Sequence, residues 1–313
     1  MKVAFDWKAR KLGRTDFSDP VEDLVILHFR QAFHGRSGYT LSVTNTLPDK
    51  IGLFPKFDWP RVHNPAIEFG LDGEIINDIA AEEARAIAEI EAAFAEHGDR
   101  VAAILIEPMQ GEGGDQYFRD EFFATLRRFA DEREAMLIYD EVQTGFFGSG
   151  KPWMWQHHGV APDVVAFGKK TQICGVYCSE RVNEVADHVF ARSSRINSTW
   201  GGNLVDMVRA RRFIEIIEKE DLGTHIASMG DRLVAGLRVM ARETGVFSNV
   251  RGIGSLVAVT LPDAERRGAL LGRMFDREVL ALPSGPTSIR FRLPYVIGPD
   301  EIDTLIERTA ASL

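Results

Sequence analysis

Short, nearly unbroken apolar runs alternate along this chain with longer stretches of helical spacing. Val25–Phe29, Val101–Ile106 and residues 136–140 and 163–167 predict strands. Runs without alternation indicate burial on both faces, as in a parallel sheet flanked by helices. Between them, Glu82 to His97 reads as an Ala/Glu-rich amphipathic helix. Arg119 to Glu134 carries Phe122, Phe123, Leu126 and Phe129 on one helical face. The segment 44–65, rich in proline and aromatics, predicts an ordered surface excursion.

From about Asn203 the texture changes. Helical spacing runs through Val208, Phe213, Ile214 and Ile217, then from Leu222 to Thr244, with a break expected at Gly223. A strand at Ser255–Thr260, a helix near Arg266–Glu278, a strand at Ile289–Arg292 and a last helix from Asp300 follow. The pattern therefore predicts an α/β fold, a mostly parallel sheet sandwiched by helices, with a smaller C-terminal α+β domain. The expected division is 1–207 and 208–313.

Right-handed crossovers bring parallel strand ends to one edge, where ligands of open α/β sheets bind. Asp140 closes one apolar run and Lys169 follows the next. An acid and an amine in one crevice suit pyridoxal phosphate: the amine condenses with the aldehyde, and the acid keeps the pyridine nitrogen protonated. On the residues alone two plainer roles stay open, a solvated lysine after a strand and an aspartate capping a helix.

Composition narrows the partners. The formal net charge of −9, from 37 basic and 46 acidic residues, argues against nucleic acid and anionic membranes. No apolar run approaches the ~20 residues of a membrane span, and the first residues carry no secretory core; a cytoplasmic location is expected. Cys174 and Cys178 cannot build a disulfide framework and read as buried free thiols. His28, His34, His157 and His158 have no metal-ligand spacing.

Several motifs in order resemble the class III, fold type I aminotransferases that use pyridoxal phosphate. They are Ile106-Glu-Pro-Met-Gln-Gly-Glu112, Asp140-Glu-Val-Gln-Thr-Gly145, Pro162-Asp163 leading to Lys169, and Ser198-Thr-Trp-Gly-Gly-Asn203. Ala32 to Ser42, Phe54 to Pro60 and Phe167-Gly-Lys-Lys-Thr-Gln172 are closest to members acting on L-lysine. The resemblance implies Lys169 as the cofactor lysine, Asp140 at the ring nitrogen, Val142 and Phe33 on the ring faces, and Gln143 at the phenolic oxygen. It also implies Thr199 at the phosphate of a neighbouring subunit, hence a homodimer with shared sites.

The same resemblance assigns Arg36 to the α-carboxylate of lysine and Arg290 to that of 2-oxoglutarate, with Arg292 competing two positions on. Glu112 would pair with that arginine while an amino donor is bound. The implied reaction moves the ε-amino group of L-lysine to 2-oxoglutarate; ornithine or 4-aminobutyrate as donor is the alternative. In the family, a portion carrying the phosphate-binding turn precedes the helix that Met1 to Lys8 resembles. The other alternative is a non-catalytic, truncated member that folds or dimerises without holding the cofactor.

Overall fold

The computed structural model describes residues 1–19 and 21–313. Six strands form the first sheet: β1 (Val25–Phe29), β2 (Arg61–Val62), β3 (Val101–Ile106), β4 (Met136–Asp140), β5 (Val164–Phe167) and β6 (Gly175–Cys178), in the order β2-β1-β3-β4-β5-β6. The first five are parallel and β6 runs antiparallel at the edge. All of β1 and β3 is buried, which is why these runs lack polar alternation.

Ten α-helices occur among the described residues: α1 (Lys2–Lys11), α2 (Gly38–Val43), α3 (Pro48–Ile51), α4 (Ile79–His97), α5 (Asp120–Glu132), α6 (Trp155–His158), α7 (Leu204–Lys219), α8 (Leu222–Thr244), α9 (Ala264–Asp276) and α10 (Pro299–Ala310). Asp78 caps α4 by accepting from the Ala81 amide at 3.1 Å. Helices α4 and α5 send Ala86, Ile90, Phe94, Phe122, Phe123, Leu126 and Phe129 into the core against β1, β3 and β4. Phe94 stacks on Phe129 with centroids 6.1 Å apart, joining the two helices. Helix α1 buries Trp7 against the same sheet, its indole donating to the Arg181 carbonyl.

A second, antiparallel sheet holds β7 (Ser248–Ile253), β8 (Leu256–Thr260), β9 (Leu282–Ser284) and β10 (Ser288–Arg292), in the order β7-β8-β10-β9. It has its own core with α8, α9 and α10, built on Ile226, Leu233, Leu237, Leu270, Met274 and Ile302. The expected boundary at 207/208 falls in the first turn of α7.

The helix break expected at Gly223 lies instead at Glu220-Asp221, where Asp221 takes φ 48°. Aspartate visits that left-handed region at modest cost. Gly223 sits inside the first turn of α8, where a methyl group would come 2.9 Å from the Gly150 carbonyl. It permits a close approach rather than a break. The cysteines are free, but not buried as expected: Cys174 is exposed and Cys178 half-buried, on and beside the edge strand β6. The segment 44–65 is ordered, carrying α3 and β2, and Trp59 in it is buried with Phe57 stacked on it at 5.0 Å.

Candidate active site

The C-terminal ends of β4 and β5 meet in register: Asp140 pairs with Ala166, and Lys169 follows three residues later. Lys169 adopts φ 54°, a left-handed conformation costly for a side-chain-bearing residue and typical of functional turns. Its ammonium has no hydrogen bond or ion pair among the described residues. Although open to the cleft, it is surrounded by enough protein for desolvation to lower its pKa. Asp140 and Glu107 oppose that shift, and Arg290 and Arg292 reinforce it.

Asp140 is fixed from two sides. Its Oδ1 accepts from the Val142 amide at 3.0 Å, and its Oδ2 faces His34 Nδ1 at 2.8 Å. The His34 ring is buried, and its Nε2 has no partner. Below it, buried Glu107 accepts from the Phe33 amide at 2.9 Å and the Gly111 amide at 3.0 Å. Burial pushes the Glu107 carboxyl up to about 7, and the Asp140 charge adds to that. Glu107 therefore ties the loop after β1 to the loop after β3.

Gln143, three residues beyond Asp140, presents its amide oxygen to the guanidiniums of Arg290 and Arg292, 3.2 Å from each. Its amide packs so tightly over Gly111 that a methyl group there would overlap it. The two arginines have different commitments. Arg292 grips buried Asp115 with two bonds of 2.6 and 2.7 Å. Among the described residues Arg290 bonds no carboxylate, and its buried Nε has no partner. Burial lowers the Arg290 pKa, and neighbouring Arg292 lowers it further.

Arg290 lines a cavity of about 390 Å³ together with Glu112, Lys50 and Arg267. Glu112 is held there by Lys50 at 2.7 Å and Thr46 at 2.8 Å. Its loop is clamped by the second sheet. Arg251 donates to the Asp115 carbonyl at 2.7 Å, Ser284 to the Gly111 carbonyl at 2.7 Å, and the Gly285 amide to the Glu112 carbonyl at 2.8 Å.

Of the residues predicted from sequence, Asp140, Val142, Gln143, Lys169, Phe33, Glu112 and Arg290 gather around this one sheet edge. Arg36 lies two residues past His34 and is exposed, with no hydrogen bond among the described residues. Thr199 is exposed on the turn 198–202, without a polar partner among the described residues. Lys170, next to Lys169, turns inward and donates to the Gln143 carbonyl. Burial drops its pKa to about 8. His34, Glu107, Lys50 and Asp115 were missed, since only tertiary contact brings each to the site.

Pyridoxal phosphate fits this donor set. A carboxylate offers about four acceptor positions, and Asp140 uses one per oxygen, so it retains capacity for a pyridinium N–H. Lys169 supplies an unengaged amine on the neighbouring strand end. Gly168, beside it, leaves room that a Cβ would fill at 3.0 Å from Cys174 Sγ and 3.5 Å from Val142 Cγ1.

Comparison with known proteins agrees with that chemistry. Residues 1–313 match the family described as aminotransferase class-III. The L-lysine-epsilon aminotransferase of Mycobacterium tuberculosis is 48% identical over 314 residues, covering 100% of this chain and 69% of the relative. That of Streptomyces clavuligerus is 44% identical, covering 100% and 68%. A solved structure of lysine aminotransferase from M. tuberculosis superposes with a TM-score of 0.93 at 46% identity, covering 100% of this chain and 71% of that one. The chain belongs to the class III aminotransferases.

Proposed function

We propose that this protein transfers the ε-amino group of L-lysine to 2-oxoglutarate, giving the 6-semialdehyde, which cyclises, and L-glutamate. The observation that carries the reading is the cleft where unengaged Lys169 and Asp140 adjoin an arginine, Arg290, that bonds no protein carboxylate. The identity to lysine aminotransferases over the whole chain supports the choice of donor.

Pyridoxal phosphate is the cofactor of this family, and when bound it supplies a ring that takes up negative charge from the substrate carbon. The protein's own groups do the rest. Asp140, held by His34 and the Val142 amide, would hold the ring nitrogen and favour its protonated form. Val142 and Phe33 would hold the ring faces, and Gln143 would hydrogen-bond its phenolic oxygen.

Lys169 removes a proton from Cε of the donor and returns it nearby as general acid. Desolvation lowers its pKa, which favours the free amine that this proton transfer needs. Arg36 orients the α-carboxylate of lysine, and Arg290 receives the α-carboxylate of 2-oxoglutarate, planar guanidinium matching planar carboxylate.

A homodimer with Thr199 serving the partner's site fits the exposed apolar surface beside it. Trp200, Leu204, Val205 and Val208 all face solvent within a few residues of one another. A cytoplasmic location and the division into 1–207 and 208–313 complete the proposal. No helix among the described residues is long and apolar enough to cross a membrane.

The test is a donor panel with 2-oxoglutarate as acceptor and added pyridoxal phosphate. Lysine should turn over with the highest kcat/KM. Faster turnover of ornithine or 4-aminobutyrate would overturn the choice of donor.

A further inference from the structure

Glu112 has two cationic suitors in one cavity, and only one holds it. Lys50 Nζ lies 2.7 Å from Glu112 Oε1, which also accepts from Thr46 Oγ1 at 2.8 Å. Arg290 lines the same cavity and feels the Glu112 charge, but forms no ion pair with it, and its Nε stays unpartnered and buried. Lys50 is itself located: it sits on the one-turn helix α3, with its ammonium 5.5 Å from the centre of the Phe33 ring. Such cation–ring contacts favour one position of a flexible lysine.

We infer that Lys50, with Thr46, is a holding station for Glu112 that keeps Arg290 free for a dicarboxylate acceptor, making Lys50 a specificity-determining residue. The inference rests on the proposed role of Arg290. Its physics is competition between two cations for one carboxylate. While Glu112 sits on Lys50, the Arg290 guanidinium is without a counter-charge and binds an incoming carboxylate strongly, because an unpaired charge in a partly desolvated site is costly. When a cationic donor occupies the cleft instead, Glu112 can cross to Arg290 and neutralise it. The balance between the two positions, and so the ratio of affinities for acceptor and donor, is set by the strength of the Lys50 contact. The Gly285 amide and Ser284 hydroxyl fix the loop that carries Glu112, so the crossing would fall to its side chain alone.

The test is calorimetric titration of the pyridoxal phosphate-loaded protein with glutarate, an unreactive dicarboxylate. Wild type, Lys50→Met, Lys50→Arg, Glu112→Gln and the Lys50→Met/Glu112→Gln double variant are compared. Lys50→Met should weaken glutarate by about tenfold, the scale of one charged hydrogen bond, because released Glu112 then occupies Arg290. Lys50→Arg should restore most of the affinity. Glu112→Gln should bind at least as tightly as wild type, and adding Lys50→Met to it should change nothing further.

Equal weakening by Lys50→Met with and without Glu112 would mean that Lys50 touches the ligand directly, and would overturn the inference. So would unchanged affinity in Lys50→Met. If wild type itself does not bind glutarate, the role of Arg290 falls and the inference with it.

Discussion

Arg292 and Asp115 form a two-pronged ion pair at 2.6 and 2.7 Å, while Arg290, on the same face of β10, is left without an acid. Sequence alone could not choose between these arginines as the carboxylate binder. The pairing distinguishes them physically: one guanidinium is already neutralised, the other is not.

That difference predicts opposite phenotypes. Arg292→Met leaves Asp115, 1% exposed, as an uncompensated buried charge, and should destabilise the fold by about 3–5 kcal/mol. Arg290→Met removes no internal ion pair. It should leave the thermal midpoint nearly unchanged while raising KM for 2-oxoglutarate about a hundredfold, in line with loss of a bidentate charged contact. Thermal unfolding and steady-state kinetics on the two variants check both halves.

His34→Ala should loosen the cofactor. The His34–Asp140 bond is enclosed, and hydrogen bonds to charged groups contribute about 1.5–3 kcal/mol. Without it Asp140 keeps the Val142 amide but loses its orienting ring. The dissociation constant for pyridoxal phosphate, read from absorbance during titration, should rise by about tenfold or more. His34→Gln, which keeps a donor near the same place, should recover part of the loss.

Glu107 should make stability depend on pH between about 4.5 and 7. Its carboxyl is raised to about 7 in the folded protein by burial, against an ordinary value of 4.5. The folded state therefore holds a proton that the unfolded chain has already released in that window. Stability from this group is full below about 4.5 and is lost as pH rises through about 7. Measured as a difference between wild type and Glu107→Gln, the wild-type advantage should shrink steadily from pH 5 to pH 8. A difference that grows or stays flat would contradict the burial argument.

The legible parts of the fold were those whose local pattern matched their environment. Val101–Ile106 could be read because all six residues are buried, and α5 because four apolar side chains share its inner face. Strands β2, β6 and β9 were missed because two to four residues, one of them Pro283, carry too little periodicity. Strand β7 was missed for another reason. Arg251 lies buried in it, satisfied by the carbonyls of Asp115, Asn249 and Gly114 and by hydroxyls, so a strand interior wears a charged residue.

The site divides along the same line. Asp140 and Lys169 were visible because each terminates an apolar run. His34, Lys50, Glu107 and Asp115 were not, because their significance lies in what faces them across the fold. Nothing in Gly168-Lys169-Lys170 tells which amine turns inward; only the tertiary contact of Lys170 with the Gln143 carbonyl shows it.

The proposed function requires the amine of Lys169, not its neighbour, to meet the cofactor opposite Asp140. Borohydride reduction of the protein incubated with pyridoxal phosphate, followed by peptide mass mapping, tests it directly. A single pyridoxyl adduct on Lys169, abolished by Lys169→Ala, is the expected result. An adduct on Lys170, or none at all on a folded protein, would contradict it.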